Sequence, residues 1–205
     1  MSLMLEDPPR SAARPRVTAE DLLTMPSGDL FELVNGELVE RNMSWEAERI
    51  GMNVAGSLWH HCRKNDCGEV NGSNAGYQCF EEIYPDDPDR LRKPDVSYIS
   101  LDRLPNVPVV RGYCTVVPDL AVEVVSPNDL SEEVEEKVDE YLRAGVRLVW
   151  VVHPHTKTIR VHRANGTLQD LRLTDELSGE DVIPGFRCPV SEVFRLPQKK
   201  TTNDQ

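Results

Sequence analysis

The run Leu120-Ala121-Val122-Glu123-Val124-Val125, a helical stretch over 130–144 and the run Leu148-Val149-Trp150-Val151-Val152 together decide the architecture of this chain. Both short runs are apolar without alternation, the pattern of strands buried on two faces. Between them Val134, Val138, Tyr141 and Leu142 recur at i, i+4, i+7 and i+8, the stripe of an amphipathic helix, and Gly145 supplies its stop. Strand, helix and strand in this order describe a right-handed crossover between parallel neighbours. The fold class expected is α/β.

Working outward, Asp95–Ser100 reads as a further strand, separated from the first by a loop holding Pro105, Pro108 and Gly112. Near the N-terminus, Phe31–Val34 and Glu37–Glu40 alternate around Asn35-Gly36, a hairpin signal. Thr18 and Asp21 form a capping-box pattern that opens a short helix. A long helix is expected over 44–64, strands near 69–71 and 77–80, a loop over 84–90, and a half-exposed strand at Thr158–Arg163. The whole describes a mixed sheet flanked by helices, preceded by an N-terminal hairpin. Residues 1–16 read as a flexible leader, 17–195 as one domain and 196–205 as a disordered tail.

Composition narrows the function. Of the 205 residues 39% are apolar and 28% charged, which suits one buried core. No run approaches the roughly 18 apolar residues of a membrane span, and no secretory h-region is visible. The five cysteines are odd in number and irregularly spaced, which fits reduced thiols and a cytoplasmic protein. A net charge of −12 argues against coating nucleic acid with the whole surface, while leaving room for a local basic groove.

Three charges stand where apolar residues belong. Glu123 lies inside an apolar strand, where a carboxylate is costly without a cation, a proton or a metal. A structural ion pair would also satisfy it. Lys137 falls on the apolar stripe of the helix between Val134 and Tyr141, while Glu132, Glu133, Glu135, Glu136, Asp139 and Glu140 read mostly as a solvated face. It is the one charge aimed at the sheet, or else a snorkelling lysine. Asp95 opens its strand after Pro94, just beyond the basic run Arg90-Leu91-Arg92-Lys93. That run is either a solvated turn or a set of phosphate contacts. Two acids at strand ends with a facing lysine are the parts of a metal-dependent phosphodiesterase: oxygen ligands for Mg²⁺ or Mn²⁺, and a cation for the water or the transition state.

The segments Arg92–Ser100, Pro118–Asp129, Glu136–Val152 (with its Lys137, Tyr141, Gly145-Val146 and Trp150) and Phe31–Val39 resemble those of the Uma2-like (DUF820) family. Together with 177–194, the resemblance covers roughly residues 18–194 and implies the restriction-endonuclease-like PD-(D/E)XK fold. It further implies a DNA endonuclease in which Asp95 and Glu123, with the Val124 carbonyl, hold Mg²⁺ or Mn²⁺. Val125 stands where the usual lysine of the motif would be, so that role passes to Lys137, with Tyr141 beside it. Glu32 and Glu48 are candidates for an additional N-terminal acid, and Arg90, Arg92 and Lys93 for phosphate contacts. His153 stands where many relatives carry Asp, and a homodimer would suit cutting both strands. The rival reading is a catalytically silent nucleic-acid-binding or protein-interaction module on the same fold. His60-His61-Cys62 and Cys67 do not make a zinc site, because the adjacent histidines diverge on a helix.

Overall fold

The structure, a computed structural model, describes residues 16–42, 44–104 and 112–197. The expected leader and tail fall almost wholly outside these residues, as do Pro105 and Pro108. In chain order the elements are α1 (Ala19–Thr24), β1 (Phe31–Val34), β2 (Glu37–Glu40), α2 (Trp45–Asn65), β3 (Gly68–Gly72), β4 (Val96–Ser100) and β5 (Leu120–Val124). They continue with α3 (Ser131–Ala144), β6 (Leu148–His153), β7 (Thr158–Arg163), β8 (Leu168–Leu171), β9 (Glu176–Ser178), β10 (Arg187–Pro189) and α4 (Val190–Val193).

β3 to β8 form one six-stranded sheet in sequence order. Only β5 and β6 run parallel, joined through α3, so the sheet is mixed as the chain pattern requires. Alternation along β5 sorts its side chains between two layers. Leu120, Val122 and Val124 pack with Ile50, Val54 and Leu58 of α2. Ala121 faces the opposite layer with Val138 and Tyr141 of α3. Glu123 shares that second face, so the strand register alone aims its carboxylate at α3.

The hairpin closes through Asn35 and Gly36, both at positive φ (54° and 74°), the geometry of a two-residue primed turn. It docks onto the body of the protein by backbone bonds between Leu33 and Leu91 at 3.1 and 2.8 Å. Thr18 and Asp21 complete the expected capping box. One element differs from expectation. Residues 77–80 form no strand: Tyr77 makes single bridges to Arg92 and Cys114, and the chain then turns at Phe80, whose carbonyl accepts from Ile83 and Tyr84. β8, β9, β10 and α4 were not foreseen. They are short, and their mostly exposed residues carry little periodicity.

Candidate active site

Asp95, Glu123 and Lys137 come together in one cavity of about 190 Å³, also lined by Glu32, Arg41, Arg92 and Val124. Each arrives from a different element. Glu123 projects from β5, and the Tyr141 hydroxyl of α3 donates to its Oε1 at 2.7 Å. Lys137, one turn before Tyr141, places Nζ 3.5 Å from Glu123 Oε2 and 3.2 Å from the Glu32 carboxylate. Asp95 sits just before β4, where its Oδ2 accepts the Val124 N–H at 2.7 Å. The Val124 backbone therefore ties the two acid-bearing strands together at the site.

Electrostatics divide the three acids. Glu32 is buried, which opposes its charge, but Lys137, Arg92 and the Lys93 N–H overcome that and hold its pKa down at about 2. Asp95 goes the other way. Burial and then repulsion from Glu123 outweigh the Val124 N–H, Arg41 and Lys137, and push it up to about 7. Glu123 is also raised, by burial first, with Lys137 opposing and Glu32 adding to the rise. Burial works against the Lys137 charge, yet Glu123 and Glu32 win and its pKa moves above the usual lysine value. The lysine is thus a fixed ammonium, while the two strand-end acids repel each other.

The expected phosphate contacts require correction. Arg90, Arg92 and Lys93 are all buried, not a solvated basic groove. Arg92 donates to both oxygens of Glu140 (2.7 and 2.8 Å) and to Glu32 at 3.0 Å. Arg90 pairs with Asp87 and Glu140, and Lys93 Nζ donates to the Gly28 carbonyl at 2.8 Å. The segment is pinned on both sides, by Leu33 bonding Leu91 and Tyr77 bonding Arg92, which draws its side chains inward. Only Arg92 also borders the cavity. Glu140 is a second correction: it lies buried beneath these arginines instead of on the solvated face.

Of the two candidate N-terminal acids, Glu32 is in the cavity, whereas Glu48 is exposed on α2 and takes no part in its lining. His153 ends β6 half-buried, also away from the lining; burial and Arg160 lower its pKa.

Arg41 is the residue that sequence reasoning missed. Just past β2, its side chain is 5% exposed and its Nη2 stands 3.4 Å from Asp95 Oδ1. Its Nη1 is buried and has no hydrogen-bond partner among the described residues. The guanidinium borders the cavity and sets a positive charge beside Asp95, where an anionic oxygen would be attracted. No periodic pattern marks residue 41, so no sequence signal pointed to it.

A divalent cation suits the donor set. Asp95 and Glu123 offer carboxylate oxygens whose mutual repulsion a cation would relieve, and Mg²⁺ commonly takes one or two carboxylates with water filling its remaining positions. Among the described residues no group of three or more His, Cys, Asp or Glu stands ready to hold a metal, so a site of the three-ligand zinc type does not fit.

Comparison with known proteins agrees with this architecture. A crystal structure described as a putative nuclease belonging to DUF820, from Anabaena variabilis, superposes with a TM-score of 0.73. It is 15% identical, and the match covers 87% of this chain and 97% of that one. At that identity the likeness speaks for the fold. No curated protein matches the chain. The model of the Uma2 family, described as "Putative restriction endonuclease", matches residues 19–191, and by that match the chain belongs to the Uma2 family.

Proposed function

We propose that this protein is a divalent-metal-dependent nuclease hydrolysing phosphodiester bonds of DNA, with Asp95 and Glu123 holding the cation. The observation that carries the reading is the convergence of two mutually repelling acids and a fixed ammonium in one cavity. When bound, Mg²⁺ or Mn²⁺ supplies Lewis acidity toward water and phosphate oxygen.

The chain's own groups do the rest. Tyr141 donates to Glu123 and fixes its rotamer, and the Val124 N–H fixes Asp95. Lys137 is too strongly held as an ammonium to be the base, so it orients the attacking water and steadies the negative charge that grows on the phosphate. Glu32 anchors that ammonium from the far side. Arg41, which borders the cavity, directs its guanidinium charge at a non-bridging oxygen of the scissile phosphate, a role expected of the basic run.

One observation favours the protein-interaction form of the silent-module alternative. The cavity rim carries Glu40, Asp129, Glu133 and Glu136, which repel a polyanion. The discriminating experiment is cleavage of single- and double-stranded DNA with Mg²⁺ or Mn²⁺, run alongside Asp95→Ala and Lys137→Ala. The expected result is cation-dependent cleavage that both substitutions lower by about a hundredfold or more. Equal cleavage by all three proteins, or none by any, would sink the nuclease reading.

A further inference from the structure

α2 presents an outer face that nothing among the described residues covers. Trp45, Met52 and Trp59 stand at seven-residue spacing along it and are 78%, 60% and 56% exposed. Large apolar side chains in such a row are unusual on a free surface and mark a contact site. Between Met52 and Trp59 lies Gly56, also exposed, with no atom within 4 Å of where a Cβ would stand. A mid-helix glycine is destabilising against alanine, and here no packing among the described residues explains it. Close approach of another backbone does.

We propose that this face pairs with the same face of a second copy, the two α2 helices crossing antiparallel near Ala55 and Gly56. Charge placement selects both the occupant and the direction. Glu46 and Glu48 lie in the first turn of α2, and Arg63 and Lys64 in the last. A parallel pair would set each cluster against its own kind. The antiparallel pair brings Glu48 to Arg63 of the other copy, sets Met52 against Trp59 and leaves the small residues at the crossing. The surface is therefore complementary to itself under a two-fold axis, the commonest homodimer symmetry. Arg63 already stacks on Trp59, 5.8 Å from the ring centroid, which holds its guanidinium at the margin of the face. None of these residues lines the cavity, so the pairing stands apart from the nuclease reading.

Sedimentation equilibrium of the full chain tests it. The wild type is expected to dimerise, and Trp59→Glu or Gly56→Arg to raise the dissociation constant about tenfold or more. Glu48→Lys and Arg63→Glu should each weaken the dimer, and the double variant should recover most of the loss; thermal melts establish that each variant is folded. A wild type monomeric at roughly 100 μM overturns the proposal. So does a dimer indifferent to these substitutions, or charge variants whose losses simply add. A monomer whose tryptophans become open to acrylamide quenching only after residues 198–205 are removed assigns the face to the chain's own tail, and overturns it equally.

Discussion

Two buried charge clusters share helix α3, and they are built to opposite ends. Around Glu140, acids and cations are matched: Arg90 and Arg92 fill its oxygens, and Arg92 continues to Glu32. Around Glu123 the matching stops. Asp95 and Glu123 repel each other, and Arg41 Nη1 has no partner among the described residues. Lys137 stands between, touching Glu32 on the matched side and Glu123 on the other. A satisfied cluster orders the interior; an unsatisfied one stores the capacity to bind something. The contrast assigns the first to architecture and the second to chemistry.

The contrast breaks most visibly at Glu140. Replacing it with Ala leaves two buried guanidinium groups short of partners and should cost about 3–5 kcal/mol in denaturant unfolding. A loss under 1 kcal/mol would mean the matched cluster orders nothing. Next comes Arg41→Ala. The missing phosphate contact should lower kcat/KM on DNA by about 10- to 100-fold, since a hydrogen bond to a charged group contributes about 1.5–3 kcal/mol. Unfolding stability should hardly move, and an equal loss of both would make Arg41 structural.

The smallest effect sharpens the comparison through pH. Asp95 titrates near 7 in the folded protein against an ordinary 3.8. For a carboxylate raised in this way, the folded state is favoured at low pH. That advantage is complete below about 4 and is lost as pH rises through 7. Asp95→Asn should therefore stabilise the metal-free protein at pH 8 by about 1–3 kcal/mol, a figure reduced because its side chain is 27% exposed. The gain should vanish near pH 4, and added Mg²⁺ should stabilise the wild type but not the variant. A variant no more stable than wild type at pH 8 would remove the repulsion on which the contrast rests.

Much of this was legible in the chain. Glu123 betrayed itself by apolar neighbours on both faces, and Lys137 by standing on an apolar stripe, because burial of a charge disturbs a local pattern. Asp95 stood out less, by opening a strand after Pro94 beside the basic run, and the family resemblance gave it a role. Glu140 escaped notice among five other acids of one helix. It lies three residues after Lys137 on nearly the same face, but its partners come from a loop 48 and 50 positions away. Arg90 and Arg92 looked like a solvated run for the same reason: backbone bridges to Leu33 and Tyr77, invisible to periodicity, turn that run inward. Local patterns report which charges are out of place, and only tertiary pairing reports which of them are satisfied.

The hairpin that carries Glu32 has a consequence for when the protein can act. Lys137 and Glu32 lie 105 positions apart, and the bridges between Leu33 and Leu91 hold the hairpin where the two meet. Contacts of such separation form only after a long loop has been closed. A chain still emerging from the ribosome, complete through β5 but without α3, carries Glu32, Asp95 and Glu123 and no Lys137 ammonium. The charge balance of the cavity is thus a late product of synthesis, completed only when α3 brings Lys137 to acids made before it.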